Sequence, residues 1–195
     1  MKTIKSLRSK VAAFTLIELL VVISIIAVLA SLALPAVTGA LTKGQIAQTT
    51  SNYRQAYILT QSASLDSQQG GGAGAFPGDL NNNVSAWYNA LVPAYCSAAT
   101  LSNLVSVKGQ LANTLVWNVT SSSEPSSVFL AVKGISQQGS NGVTYDGSGP
   151  YLAKGGALVT VGGSAISFVG TNSAVLTNGT ILIGGSNTAG TPVSF

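Results

Sequence analysis

No histidine occurs in this chain, and cysteine occurs once, at Cys96. The first absence removes the commonest general base and the commonest nitrogen ligand for a metal. The second excludes an internal disulfide, since any bridge from Cys96 would have to join two molecules. On residue type, Cys96 reads as a small buried apolar side chain. Charge is scarce too: Asp, Glu, Lys and Arg make up 7% of the residues, against roughly 25% in an ordinary soluble protein. Disorder does not follow, because disordered chains combine high charge with few β-branched residues. This chain is 46% hydrophobic and rich in Val, Ile and Thr. Neither a G-x-x-x-x-G-K phosphate loop nor a G-x-S-x-G nucleophile elbow is present. The carboxylates Asp66, Asp79, Glu124 and Asp146 are scattered along the chain. With no base to activate the many serines, an enzyme is not expected, and neither is a cofactor.

The net charge of +4 has a location. Lys2, Lys5, Arg8 and Lys10 fall in the first thirteen residues, which contain no acid. From Phe14 onward, Lys43, Arg54, Lys108, Lys133 and Lys154 balance Glu18, Asp66, Asp79, Glu124 and Asp146. The body is neutral without a clustered basic face, so no nucleic-acid site is expected.

What is present falls into four stretches. Residues 1–13 form a basic head, and residues 14–37 are almost continuously apolar, long enough to span a bilayer as a helix. The cations ahead of that run predict a cytoplasmic N-terminus and an outward body. Over residues 38–67, Leu41, Ile46, Tyr53, Tyr57 and Ala63 recur at helical spacings among polar residues, which predicts an amphipathic continuation. Pro35, Gly39 and Gly44 interrupt its middle, so a kink or a loosened turn is expected there, with Pro35 as its centre.

Residues 68–195 open on the Gly- and Asn-rich loop "QQGGGAGAFPGDLNNN". One short helix is expected within "VSAWYNALVPAYC" (84–96). Apolar runs then recur between turn residues: "TLVWNVT" (114–120), "SVFLAVKG" (127–134), "ALVTVGG" (157–163), "AISFVG" (165–170) and "GTILIGG" (179–185). These read as strands of an antiparallel sheet, with "GGSA" (162–165) and "TNGT" (177–180) as tight turns. The fold class is therefore α+β: a long N-terminal helix, half hydrophobic and half amphipathic, packed on a C-terminal antiparallel β-sheet head.

Glu18 is the one charged residue in the apolar run. A secretory signal would be shorter, with 7–15 apolar residues and a clean small-residue cut site. A plain membrane anchor leaves the acid without a reason, since a lipid-facing carboxylate costs a few kcal/mol. A cut between Ala13 and Phe14 supplies one. It removes the four leader cations and creates an α-amino group on Phe14, one helical turn from Glu18. That ammonium and the carboxylate can neutralise each other, within a chain or between neighbours. A pair between packed helices would also fix their axial register, because an offset leaves both charges unpaired.

The stretch "AFTLIELLVVISIIAVLASLALPA" resembles the N-terminal segment of type IV prepilins and the related type II secretion pseudopilins. Those families show a small residue at the cut, Phe-Thr-Leu-Ile-Glu, an apolar helix and a proline 22 residues into the mature chain. Pro35 is the twenty-second residue counted from Phe14. The resemblance implies the pilin fold, cleavage between Ala13 and Phe14 by prepilin peptidase, and N-methylation of Phe14. It implies storage in the inner membrane as a single-pass precursor, and assembly by a platform with a cytoplasmic ATPase into an extracellular helical filament of identical subunits. Glu18 would serve in subunit registration. Two features depart from the pattern: Ala13 stands where the family usually has Gly, and Cys96 alone cannot close the C-terminal disulfide loop common in the family.

The expected function is thus that of a structural subunit, the major pilin of a surface filament. The alternatives are a pseudopilin of a type II secretion system or a minor pilin, and, from another class, a membrane-anchored or secreted β-rich adhesion module. Three smaller motifs remain. "DLNNN" has the D-x-N-x-N opening of a calcium loop, but Val84 and Ala90 stand where that loop requires Gly and Glu. Asp79 is therefore read first as part of an Asn-rich turn, with a metal role as the rival and no metal expected. Asn83, Asn118 and Asn178 open N-glycosylation sequons. Trp87, Tyr88, Tyr95 and Trp117 are read as core aromatics, and Tyr53 and Tyr57 as packing against the sheet.

Overall fold

A computed structural model describes residues 14–137, 143–170 and 191–192. Its contacts divide the chain into two compact units, Met1–Leu41 and Thr42–Phe195. The leader 1–13, the run expected as a strand at 179–185 and the turn at 177–180 lie outside the described residues.

Helix α1 (Leu16–Gln69) contributes to both units. It is assigned as continuous α-helix through Pro35, Gly39 and Gly44. Pro35 removes only the N–H that would reach the carbonyl of Ser31. In the first unit every helix residue but the half-buried Gly39 is exposed, with Leu16 at 88% and Leu32 at 72%. From residue 46 one face becomes buried: Ile46, Thr49, Tyr53, Ala56, Thr60 and Ala63 follow one another at spacings of three and four, the repeat that keeps side chains on one side of a helix.

That face lies in the core of the second unit together with the sheet. Strands β1 (Thr114–Val116), β2 (Val128–Val132), β5 (Gly156–Thr160), β6 (Ala165–Phe168) and β7 (Thr191–Pro192) pair antiparallel in the order β6-β5-β2-β1-β7. All five residues of β2 and all five of β5 are buried, which accounts for their unbroken apolar runs in place of alternation. The expected turn at 162–165 closes the β5–β6 hairpin, with Gly163 N–H donating to Thr160 O at 2.9 Å. Gly163 has φ +79°, and a methyl group there would lie 2.7 Å from the ring of Tyr57. Strands β3 (Ile135–Gln137) and β4 (Val143–Tyr145) form a separate antiparallel pair that the sequence reading did not identify.

In chain order, α2 (Val84–Leu91) and α3 (Ala98–Val105) follow α1; one short helix was expected, within 84–96, and α3 is additional. Asn83 caps α2 by accepting from Ala86 N–H at 3.1 Å, and Ser97 caps α3 through Thr100 N–H at 3.1 Å. Such oxygens satisfy amide donors that the first turn leaves open. The aromatic assignment is upheld: Trp87 and Trp117 are buried, and Tyr88 and Tyr95 are half-buried against the core. Phe129 meets the edges of Phe76 and Trp87 at 5.1 and 5.8 Å. Cys96 is half-buried rather than fully enclosed, and partial burial pushes its thiol above the ordinary range.

The buried face of α1 is tied to its surroundings by hydroxyl bonds between neutral groups. Thr114 Oγ1 donates to the carbonyl of Val105, the last residue of α3. Its oxygen therefore accepts from Tyr53, at 2.7 Å. Tyr151 donates to Gln45 O at 3.2 Å, so Thr49 donates to Tyr151, at 2.6 Å. Trp87 Nε1–H donates to Thr60 Oγ1 at 3.0 Å, and Thr60 donates to Ala56 O at 2.9 Å. Near the end of α1, exposed Asp66 accepts from Tyr95 at 2.6 Å.

Two expectations follow. Thr60→Val keeps the shape but leaves the buried Trp87 N–H without an acceptor, which should cost about 1–3 kcal/mol. Chemical denaturation of the detergent-solubilised chain measures it, and an unchanged midpoint would contradict the bond.

The second concerns pH. Burial pushes the hydroxyls of Tyr53 and Tyr151 above their ordinary 10.0, and the bond to Asp66 raises that of Tyr95. A raised tyrosine favours the neutral form in the fold, so its contribution is complete below pH 10 and is lost as pH rises through the folded value. Hydrogen bonds from Ser148 lower the carboxyl of Asp146 below 3.8. Its contribution is present above that value and is lost as pH falls through the depressed one. The thermal midpoint should therefore be insensitive to these groups between about pH 5 and 9 and should fall above about pH 10. A steep change near neutrality in a thermal scan followed by near-UV circular dichroism would contradict it.

Candidate functional site

The first turn of α1 is built around Thr15 and Glu18. A helix start leaves amide N–H groups without intrahelical partners. Here Glu18 N–H donates to Thr15 Oγ1 at 3.3 Å, while Thr15 N–H donates back to Glu18 Oε2 at 2.9 Å. The Thr15 hydroxyl also donates to Glu18 Oε2, at 2.8 Å. This is a capping box, the reciprocal closure made by Thr or Ser followed three residues later by Glu. It places a carboxylate at the positive end of the helix dipole. Only Oε2 is engaged: Oε1 makes no hydrogen bond among the described residues. Half of the carboxylate thus stays open to a further donor.

Beside it, Phe14, Ile17, Val21 and Val22 line a shallow apolar groove of about 360 Å³ with Glu18 on its wall. Phe14 is 77% exposed. Farther along, hydroxyls that would be costly in an apolar medium are satisfied by their own helix. Ser24 donates to Leu20 O at 2.7 Å, Ser31 to Val28 O at 2.8 Å and Thr38 to Pro35 O at 3.0 Å. Hydroxyls paired within their own helix meet the requirement that a lipid-exposed segment places on its side chains. The helix is long and apolar enough to cross a membrane, and none of its most apolar eighteen-residue window is buried.

The structure therefore brings Phe14 and Glu18 to the same helix mouth. Ala13, on the other side of the expected cut, lies outside the described residues. Pro35 sits in the exposed part of α1. Thr15 is the functional residue the sequence reading missed, although T-x-x-E ahead of an apolar run is its signature.

Asp79 belongs to the other unit. Its Oδ2 accepts from Phe76 N–H at 3.3 Å and Ser121 N–H at 2.9 Å, which ties the 73–83 loop to the segment after β1. Gly78 N–H donates to Val119 O at 2.8 Å in the same junction, where a methyl group on Gly78 would lie 2.7 Å from that oxygen. Two donors converging on one carboxylate oxygen suit a loop clasp. Among the described residues no group of three or more His, Cys, Asp and Glu side chains converges. Of the sequon residues, Asn83 is the α2 cap, Asn118 is half-buried, and Asn178 lies outside the described residues.

Residues 8–34 match the family model described as the prokaryotic N-terminal methylation motif. No curated protein and no solved structure shows significant similarity to the chain.

Thr15→Val removes two of the three bonds of the capping box, and substitution of a cap costs about 1 kcal/mol. Amide hydrogen exchange at Leu16–Leu19 in detergent micelles should quicken several-fold in Thr15→Val. Thr15→Ser should retain the slow rate. Equal rates in all three chains would rule out the box as the clamp on this turn.

Proposed function

From the premise that residues 8–34 carry the leader signature of a type IV prepilin-type protein, we propose that this chain is the major subunit of a type IV surface filament. It is made as a membrane-anchored precursor with a cytoplasmic N-terminus, cut between Ala13 and Phe14 by prepilin peptidase, methylated on the new Phe14 amine, and assembled by an ATPase-driven platform. The observation that carries this reading is the first turn of α1. A single carboxylate lies at the end of an exposed apolar helix, with one oxygen held by Thr15 and the other open.

Such a helix needs an apolar surrounding, first lipid and then sibling helices. The open oxygen needs a cation, and the chain from Phe14 to Thr42 offers no basic side chain. The amine released by cleavage meets that need. A pair between the Phe14 amine of one subunit and Glu18 of another sets the axial offset of the two helices, because any other offset leaves two charges unpaired in apolar surroundings. The groove beside Glu18 is of a size to receive an apolar side chain of the neighbour.

Mass spectrometry of the mature protein tests processing. The expected N-terminus is Phe14 bearing a methyl group; one at Met1, or one beyond Pro35, contradicts the proposal. Glu18→Gln preserves size and hydrogen bonding but removes the charge. It should insert normally while the yield of long filaments, counted by electron microscopy, drops by at least about tenfold, the equivalent of one charge-assisted bond of roughly 1.5 kcal/mol. Normal yield would refute the registration role. Short or absent filaments from the unaltered, abundant chain would refute the assignment as major subunit.

A further inference from the structure

The second unit contains a cleft of about 530 Å³ that the filament reading does not use. Its size falls within the roughly 300–1,000 Å³ of small-molecule sites, but its lining is unusual for one. Gln45, Gln48 and Asn52 present three carboxamides at i, i+3 and i+7 on one face of α1, and Asn103 of α3 adds a fourth. None of these carboxamides bonds to a protein group among the described residues. Lys108 is the one charged lining residue, and no acid opposes it.

The walls are fixed by neighbouring contacts. Tyr151 is held by Thr49 at 2.6 Å and by Gln45 O at 3.2 Å. Lys108 occupies the first central position of a tight turn closed by reciprocal bonds of 3.1 Å between Val107 and Gln110. Both central residues have positive φ, +51° at Lys108 and +73° at Gly109. Turns of this kind favour Asn or Gly at that position, so a lysine there is a strained choice of the sort that gathers at functional sites. Its ammonium donates to Pro150 O at 2.6 Å and stands 5.1 Å from the centre of the Tyr151 ring. Two of its three N–H donors remain for a ligand.

We propose that this cleft is a saccharide-binding site for a short acidic sugar, with the carboxamides on its hydroxyls and Lys108 on its carboxylate. A carboxamide both donates and accepts, as a sugar hydroxyl does, and four unused ones converge here. One unopposed cation matches one carboxylate. Extended polyanions would meet too little positive charge, and Leu104 is the single aliphatic side chain in the lining, too little for a lipid tail or an apolar helix. The site lies wholly within the unit Thr42–Phe195.

The test titrates the full chain in detergent micelles with a galacturonic acid disaccharide and with the matching neutral galactose disaccharide, followed by amide chemical shifts. The acidic sugar should bind saturably with a Kd of about 1 mM or tighter, and the neutral one about tenfold more weakly. Lys108→Gly suits the positive φ of the turn and so preserves the fold while removing the ammonium. It should abolish the preference between the two sugars. Gln48→Ala combined with Asn52→Ala should abolish binding of both, with the thermal midpoint of the chain unchanged. Absence of saturable binding by either sugar overturns the proposal, as does binding that these substitutions leave intact. Loss of self-association in the double variant without any sugar binding overturns it in favour of a second copy of the chain as occupant.

Discussion

A polar group carried into apolar surroundings must bring its partner with it or meet one there, and this constraint governs both units of the chain. In the exposed part of α1 the partners come from the same helix: Ser24, Ser31 and Thr38 each turn a hydroxyl onto a carbonyl one turn back. Thr15 and Glu18 close on each other at the helix mouth. The second oxygen of Glu18 makes no hydrogen bond among the described residues, and a free carboxylate oxygen beside an apolar segment is what gives that end its chemistry. The match of residues 8–34 to the N-terminal methylation motif concerns this same end.

In the head the partners come from distant parts of the sequence. Tyr53, Thr49 and Thr60 lie on the buried side of α1 and meet Thr114, Tyr151 and Trp87. Ala56 and Ala63 are buried on the same face. The hydroxyl and indole bonds join neutral groups, so salt has little to screen in them. The scarcity of charge and the abundance of hydroxyls are thus one design, in which directional bonds between uncharged groups hold a helix against a sheet.

The elements that could be read in the sequence were those whose pattern is local. The apolar run, the three-and-four spacing from Ile46 to Ala63, and the four apolar runs that became β1, β2, β5 and β6 all announced themselves. The capping box is equally local, but Thr15 is an ordinary polar residue whose role shows only in its pairing with Glu18 three residues on. Helix α3 carries a similar signal in Ser97 and Thr100, masked by a neighbouring stretch of small residues. Strands β3 and β4 are three residues each, too short to show a period. Asp79 could not be understood locally, since one of its two donors is Ser121. Nor could the cleft be seen: Gln45, Asn103, Lys108 and Tyr151 are brought together only by the fold.

The strand order has a temporal consequence. β1 sits between β2 and β7, and Leu115 pairs with Pro192 on one side and with Ala131 on the other. Because synthesis proceeds from the N-terminus, β1 waits for its second neighbour until Thr191 and Pro192 have emerged. Sheets closed by such distant pairings form late and slowly. The long helix, whose backbone bonds are all local, can form well before, so its apolar first part precedes the β-rich part that later covers the face from Ile46 to Ala63.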